Sequence, residues 1–78
     1  MSLPDSYFDV APAAHDAGYR VMFLRPEWPT RFAIFRTAAA VAAAAYLCDV
    51  PIRTRDPDVR AEARERHVRL ISTEEQRL

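Results

Sequence analysis

The sequence contains one cysteine and one glycine, and it has neither lysine nor asparagine. A single cysteine, Cys48, excludes an internal disulfide, and a single glycine excludes a glycine-rich phosphate loop. A chain of 78 residues buries only a modest share of its surface when it folds alone, and small domains are usually reinforced by disulfides, metals or partners. We therefore expect a partner protein to supply part of the stability of this chain.

The sequence also lacks net charge, because 11 arginines balance 11 acidic residues. This balance argues against a nucleic-acid-binding protein, which carries a basic face to neutralise phosphates. The soft metal ligands His15, Cys48 and His67 are far apart, whereas a structural zinc site needs about four ligands in paired spacings. Adjacent His15 and Asp16 do not face each other on a helix, and no convincing nucleophile accompanies them. The sequence predicts no enzyme, no cofactor and no metal.

Residues 1–24 are interrupted by Pro4, Pro12 and Gly18, which break any long helical pattern. We expect an irregular N-terminal arm that lies on a neighbouring protein, with a short helix near residues 13–22 as an alternative. We expect no secretory signal in this first segment, since it lacks a basic start and an apolar core.

Residues 25–52 contain no helix breaker between Pro29 and Pro51, and seven of the eight residues from Ala38 to Ala45 are alanine. Proline suits the first turn of a helix and forces a stop when it follows one. About 22 residues at 1.5 Å each give roughly 33 Å, close to the hydrocarbon thickness of a bilayer. The pattern predicts a single transmembrane helix near residues 29–50. The alternative is a buried alanine-rich helix in a soluble assembly.

Several residues of this segment are candidates for contacts. Small side chains let helices approach closely in lipid, so Ala38, Ala42 and Ala45 form a candidate face for docking on a larger helix. Arg36 would reach back toward the headgroups or pair with a neighbouring subunit, and Trp28 would lie at the membrane interface. The arginines that flank Trp28 are candidates for binding anionic headgroups such as cardiolipin, and they are Arg25 and Arg31.

Residues 53–78 open with Asp56, Pro57 and Asp58, which together form a strong helix start. The first offers an N-cap acceptor, the proline fits the first turn, and the second acid complements the helix dipole. Glu62 and Arg66 stand four residues apart, as do Glu65 and Arg69, and such pairs support an exposed helix. We predict a short polar C-terminal helix from Asp56 to about Ile71.

One motif runs from Leu24 to Pro29 before the apolar stretch, and a second runs from Thr54 to Arg60 after it. In this order, the two motifs resemble the MLRQ-subunit family of mitochondrial respiratory-chain proteins. The resemblance implies a non-catalytic accessory subunit with one transmembrane helix in the inner mitochondrial membrane. It also implies positioning and docking roles for the residues that match the family's pattern, which are Arg25, Pro26, Asp56, Pro57, Asp58 and Val59.

We therefore expect an all-α protein with a single-pass helix that stabilises a respiratory complex, most simply cytochrome c oxidase, by helix packing. Its partners would be subunits of that complex and membrane lipids, with no nucleic acid and no small-molecule substrate. The alternatives are an accessory subunit of complex I, ATP synthase or a photosystem, or a soluble helical adaptor.

Overall fold

The computed structural model describes residues 4–14, 18–27 and 31–71. The N-terminal half of the chain forms three strands: β1 (Tyr7–Pro12), β2 (Tyr19–Leu24) and β3 (Arg31–Phe35). They pair antiparallel in chain order, with β2 between the other two. A Cβ atom on Gly18 would lie 2.7 Å from the carbonyl oxygen of Phe35, so this close approach of β2 to β3 requires glycine.

The first helix, α1 (Ala38–Cys48), begins directly after β3. Thr37 is its N-cap, and the Thr37 hydroxyl accepts a hydrogen bond of 3.1 Å from the Ala40 N–H. Alanine propagates the helix well because it loses no side-chain entropy there. Asp49 ends the helix in the left-handed conformation, with φ at 57°. The helix therefore has 11 residues.

The remaining elements are β4 (Ile52–Arg53), α2 (Pro57–Glu65) and β5 (Leu70–Ile71). The strand order in the sheet is β3-β2-β1-β4-β5. Both β4 and β5 are parallel to β1, so β2 alone runs in the opposite direction. The segments that connect β3 to β4 and β4 to β5 contain the two helices, as crossovers between parallel strands usually do.

Both helices pack on the same face of the sheet. Side chains from alternate positions of the strands meet the helices there, because successive residues of a strand point to opposite faces. The largest fully buried side chains are Ile52, Val21, Val41 and Val59. One hydrophobic core therefore lies between the sheet and the helix pair, and its buried members are Phe8, Val10, Val21, Val41, Ala45, Val50, Ile52, Val59, Ala63 and Val68.

The two helices end in the same way. Asp49 and His67 both have positive φ, at 57° and 61°. The N–H of the next residue donates back into the helix in each case, from Val50 to the Ala45 carbonyl and from Val68 to the Ala63 carbonyl. The buried valines then anchor the turn against the core, as in a Schellman motif.

This architecture corrects the predicted fold class. The protein is a small mixed α/β fold with a five-stranded sheet, so the prediction of an all-α chain is wrong. The predicted irregular N-terminal arm instead forms β1 and β2. Residues 31–35, which we assigned to the transmembrane helix, form β3. Within the described ranges, neither helix combines the length and the hydropathy that a bilayer crossing needs. The predicted single-pass insertion in the inner mitochondrial membrane is therefore wrong.

The start of the C-terminal helix agrees with the sequence pattern. The Asp56 carboxylate accepts hydrogen bonds from the N–H groups of Asp58 and Val59, at 2.9 and 3.1 Å. Pro57 occupies the first turn. The helix is shorter than predicted, because it ends at Glu65 and the chain continues into β5 rather than to Ile71 as helix.

Candidate docking surface

The face of the sheet opposite the helices is the candidate functional surface, and we call it the open face. Strand alternation and the observed register determine its members. In the described part of the chain, both helices contribute buried side chains to the core on the opposite face of the sheet. The side chains of the open face are those of Tyr7, Asp9, Ala11, Arg20, Met22, Leu24, Phe32, Ile34, Arg53 and Ile71.

An ion pair lies in the middle of the open face. Asp9 on β1 and Arg53 on β4 are direct register partners. The Arg53 guanidinium donates twice to the carboxylate, from Nε to Oδ1 at 3.2 Å and from Nη2 to Oδ2 at 3.3 Å. The side chain of Arg53 is 24% exposed and that of Asp9 is 35% exposed, so solvent reaches the pair. Such a bidentate pair has a fixed orientation and presents directed polar groups to a partner.

Arginine side chains also cover aromatic rings on this face. The Arg20 guanidinium carbon lies 4.4 Å from the centre of the Phe32 ring. The guanidinium carbon of Arg53 is 5.9 Å from the Tyr7 ring centre. Both distances are within the range of a cation–π interaction. The rings therefore hold the arginine side chains close to the sheet.

The rest of the open face is largely apolar. Phe32 and Ile34 on the outer strand β3 are 55% and 46% exposed. Met22, Leu24 and Ile71 are partly exposed. Single exposed apolar residues are ordinary, but a contiguous group of them on one sheet face is typical of a protein interaction site. The open face therefore combines an apolar surface with a central ion pair.

A second exposed apolar site lies at the C-terminal ends of the helices. Tyr46 and Leu47 are 64% and 82% exposed. With Ala43, Arg66 and His67 they line a shallow groove of about 500 Å³. The groove has fewer large apolar side chains than the open face, and one of its lining residues, His67, ends α2 with a positive φ.

A third group of residues joins β2 to the start of α2. Burial raises the pKa of Tyr19, and the neighbouring carboxylates of Asp56 and Asp58 raise this pKa further. The neutral phenol is therefore the favoured form at this position. No metal site accompanies these acids, since the described part of the chain contains no group of three His, Cys, Asp or Glu side chains placed to hold an ion.

The interface residues predicted before the helix are dispersed. Arg25 follows β2 in a turn and lies 3.8 Å from the Glu27 carboxylate. Pro26 is exposed in the same turn, whereas Trp28 lies outside the described residues. Arg31 is exposed at the start of the outer strand, as Arg36 is beside the N-cap of α1. The structure therefore does not bring the two candidate lipid-binding arginines to the end of a membrane span.

The predicted alanine face packs inside the chain. Ala42 and Ala45 are fully buried and Ala38 is partly buried against the core. The helix that contains them packs against α2, β2 and β3. Small side chains do allow this helix to approach its neighbours closely, but the neighbours belong to the same chain. The prediction that these alanines form a face for docking on a helix of another protein is therefore corrected.

The predicted residues of the second motif have structural positions at the start of α2. Asp56 is the N-cap, Pro57 and Asp58 are exposed in the first turn, and Val59 is fully buried in the core. Their hydrogen bonds and packing fix the start of the helix within the chain. A docking role for the exposed members stays a prediction.

Comparison with known proteins adds no relative to this description. No family model, no curated protein and no solved structure matches the chain. The family resemblance noted in the sequence stays a prediction, although the single-span architecture that it implies is wrong.

Sequence reasoning missed the open face altogether. Asp9 and Arg53 are 44 residues apart in the chain, and no local pattern connects them. A signal for β1 was present, because the apolar residues Phe8 and Val10 lie on either side of the charged Asp9. Such a period of two is typical of a half-buried strand.

Proposed function

We propose that this protein is a non-catalytic interaction module that binds a larger protein through the open face of its sheet. The observation that carries the proposal is a sheet face on which exposed apolar side chains surround the Asp9–Arg53 ion pair. Apolar area would supply affinity, and the ion pair would supply orientation, because a partner must present complementary polar groups. The proposal retains the role of an accessory subunit and does not require a membrane helix.

A protein partner fits this face better than a nucleic acid does. An arginine at the centre of the face is neutralised by Asp9, and the whole chain has no net charge. Binding to single strands needs a basic groove that follows the phosphates, together with aromatic stacking platforms. Here Arg20 already covers the ring of Phe32. Assignment of the larger protein to cytochrome c oxidase stays a prediction from the family resemblance.

The test compares two equivalent substitutions on opposite sides of the molecule. Met22→Asp introduces a charge into the open face, and Leu47→Asp introduces the same charge at the exposed end of α1. Each variant is tagged and purified under native conditions from the cells that make the protein, and the retained proteins are identified. Thermal unfolding confirms that each variant is folded, and Ile71→Asp serves as a second open-face variant.

We expect the native chain to retain a large partner, and we expect the Leu47→Asp variant to retain the same one. The two open-face variants, Met22→Asp and Ile71→Asp, should lose it. Loss with Leu47→Asp and retention with both open-face variants would refute the proposal in favour of the groove at the helix ends. Binding of a single-stranded oligonucleotide at physiological salt that disappears with Met22→Asp would also refute it.

A further inference from the structure

The outer strand β3 has main-chain groups that no strand of the described chain pairs with. The N–H of Ala13 donates to the Gly18 carbonyl at 3.0 Å, so the main-chain groups of Gly18 face β1. Along a strand, the main-chain N–H and carbonyl groups of successive residues point to alternate sides. The main-chain groups of Val21, three residues after Gly18, therefore face β3, where Ala33 is the register partner of Val21. Ala33 is therefore hydrogen bonded inward.

The same alternation directs the N–H and carbonyl groups of Phe32 and Ile34 away from β2, toward the outside of the sheet. An edge of this kind is a template for another strand, and proteins usually protect it with proline, a bulge or an inward-pointing charge. The described interior of β3, from Phe32 to Phe35, has none of these features. At the other edge, β5 has only two residues in the described chain.

We infer that two copies of the chain pair through β3, antiparallel and centred on Ala33, to form one continuous sheet across a two-fold axis. In this register Phe32 of each copy is opposite Ile34 of the other, and every outward N–H and carbonyl of the two residues meets a partner. Two-fold symmetry requires such a self-complementary pairing. The inference concerns the edge of the sheet, whereas the proposed function concerns its open face.

Side chains and charges fit this register. An aromatic ring opposite a β-branched side chain is a favourable cross-strand pair, and Phe32 and Ile34 supply it twice on the open face. Arg31 lies opposite Phe35 of the second copy, so no like charges face each other. The chain has no net charge, and two copies therefore do not repel each other over long range. Pairing would bring the two exposed large apolar side chains of β3 into contact with those of the second copy.

The test measures self-association of the full chain by sedimentation equilibrium over a range of concentrations. Two double variants probe the register. Phe32→Glu combined with Ile34→Lys places opposite charges across the two-fold axis, and Phe32→Lys combined with Ile34→Lys places like charges there. We expect the first double variant to dimerise about tenfold or more tightly than the second. The reason is that both cross-strand pairs are attractive in the first variant and repulsive in the second.

Hydrogen exchange of the native chain gives an independent readout. The amide protons of Phe32 and Ile34 should exchange quickly in dilute samples and become protected as the dimer forms, while the amide of Ala33 is protected in both. A chain that stays monomeric up to ~1 mM, a concentration at which even a weak complex forms, would overturn the inference. So would equal association of the two double variants. Neither outcome affects the test of the proposed function with Met22→Asp, because Met22 lies on the inner strand β2 and not on the edge strand β3.

Discussion

Two isoleucines on opposite faces of the sheet give a direct test of which face is the core. Ile52 on β4 is fully buried beneath the helices, whereas Ile34 on β3 is 46% exposed on the open face. The same substitution by alanine at both positions removes the same atoms. We expect Ile52→Ala to destabilise the protein by about 3 kcal/mol, because it removes buried apolar contacts and leaves a cavity.

The expected loss for Ile34→Ala is about 1 kcal/mol or less. Roughly half of its side chain is already in water, no cavity forms, and the strand preference of isoleucine over alanine adds only a fraction of a kcal/mol. A chain of this size has a total stability of roughly 4–12 kcal/mol, at about 0.05–0.15 kcal/mol per residue. The loss at Ile52 is therefore a large share of the whole.

Urea unfolding followed by circular dichroism measures both losses. With a denaturant slope of about 1 kcal/mol per molar urea, the midpoint should fall by about 3 M for Ile52→Ala and by about 1 M or less for Ile34→Ala. Samples at low micromolar concentration keep self-association out of the comparison. If Ile52→Ala leaves too little folded protein, Ile52→Val should cost about 1 kcal/mol. Equal losses at the two positions, or a larger loss at Ile34, would refute the assignment of the faces.

Three further predictions concern polar groups and backbone conformation. A double-mutant cycle with Asp9→Asn and Arg53→Gln should give a coupling energy of about 0.5–1 kcal/mol, because the ion pair is partly exposed. This energy should fall with added salt, and no measurable coupling would contradict the bidentate geometry. His67→Gly should stabilise the protein by about 1 kcal/mol in thermal unfolding, and Asp49→Gly by less, because aspartate tolerates the left-handed conformation better than histidine; destabilisation by both would contradict the observed helix ends. The raised pKa of Tyr19 contributes stability that is present below pH 10 and is lost as pH rises through the folded-state pKa. Unfolding temperatures between pH 9 and pH 11 should therefore fall less in Tyr19→Phe than in the native chain, and identical profiles would contradict the raised pKa of Tyr19.

The start of α2 and the end of α1 were the parts of the fold that the sequence made predictable. Asp56 and Pro57 specify the start of α2 by local hydrogen bonding and fixed backbone geometry, and both effects act within a few residues. The predicted pair of Glu62 and Arg66 is also present, at 3.5 Å. Pro51 limits the first helix as expected, since α1 ends at Cys48.

The strand that precedes α1 was mistaken for the beginning of the helix. The absence of a helix breaker between Pro29 and Ala38 favoured a single long helix, but absence of a breaker is only permissive. Thr37 is an N-cap residue type placed directly before the alanines, and it marks the true start. The aromatic and β-branched residues Phe32, Ile34 and Phe35 favour a strand in the preceding segment.

The candidate site could not have been derived from local patterns. Asp9 and Arg53 meet only because β4 inserts beside β1, and this placement depends on the crossover through α1. The alanine-rich helix dominated the interpretation, although its closeness to α2 explains the small side chains equally well. A surface assembled from five strands therefore became visible only with the tertiary structure.

Assignment of β3 by nuclear magnetic resonance in solution tests the central claim most directly, because the open face and the dimer edge both depend on this strand. Met22 and Phe32 are register partners, and alternation makes them a pair without hydrogen bonds, whose α-carbons lie about 4.5 Å apart. We predict strand chemical shifts for residues 31–35 and a strong nuclear Overhauser effect between the two α-protons. Continuous helical shifts from residue 30 to residue 48, without that effect, would contradict the account.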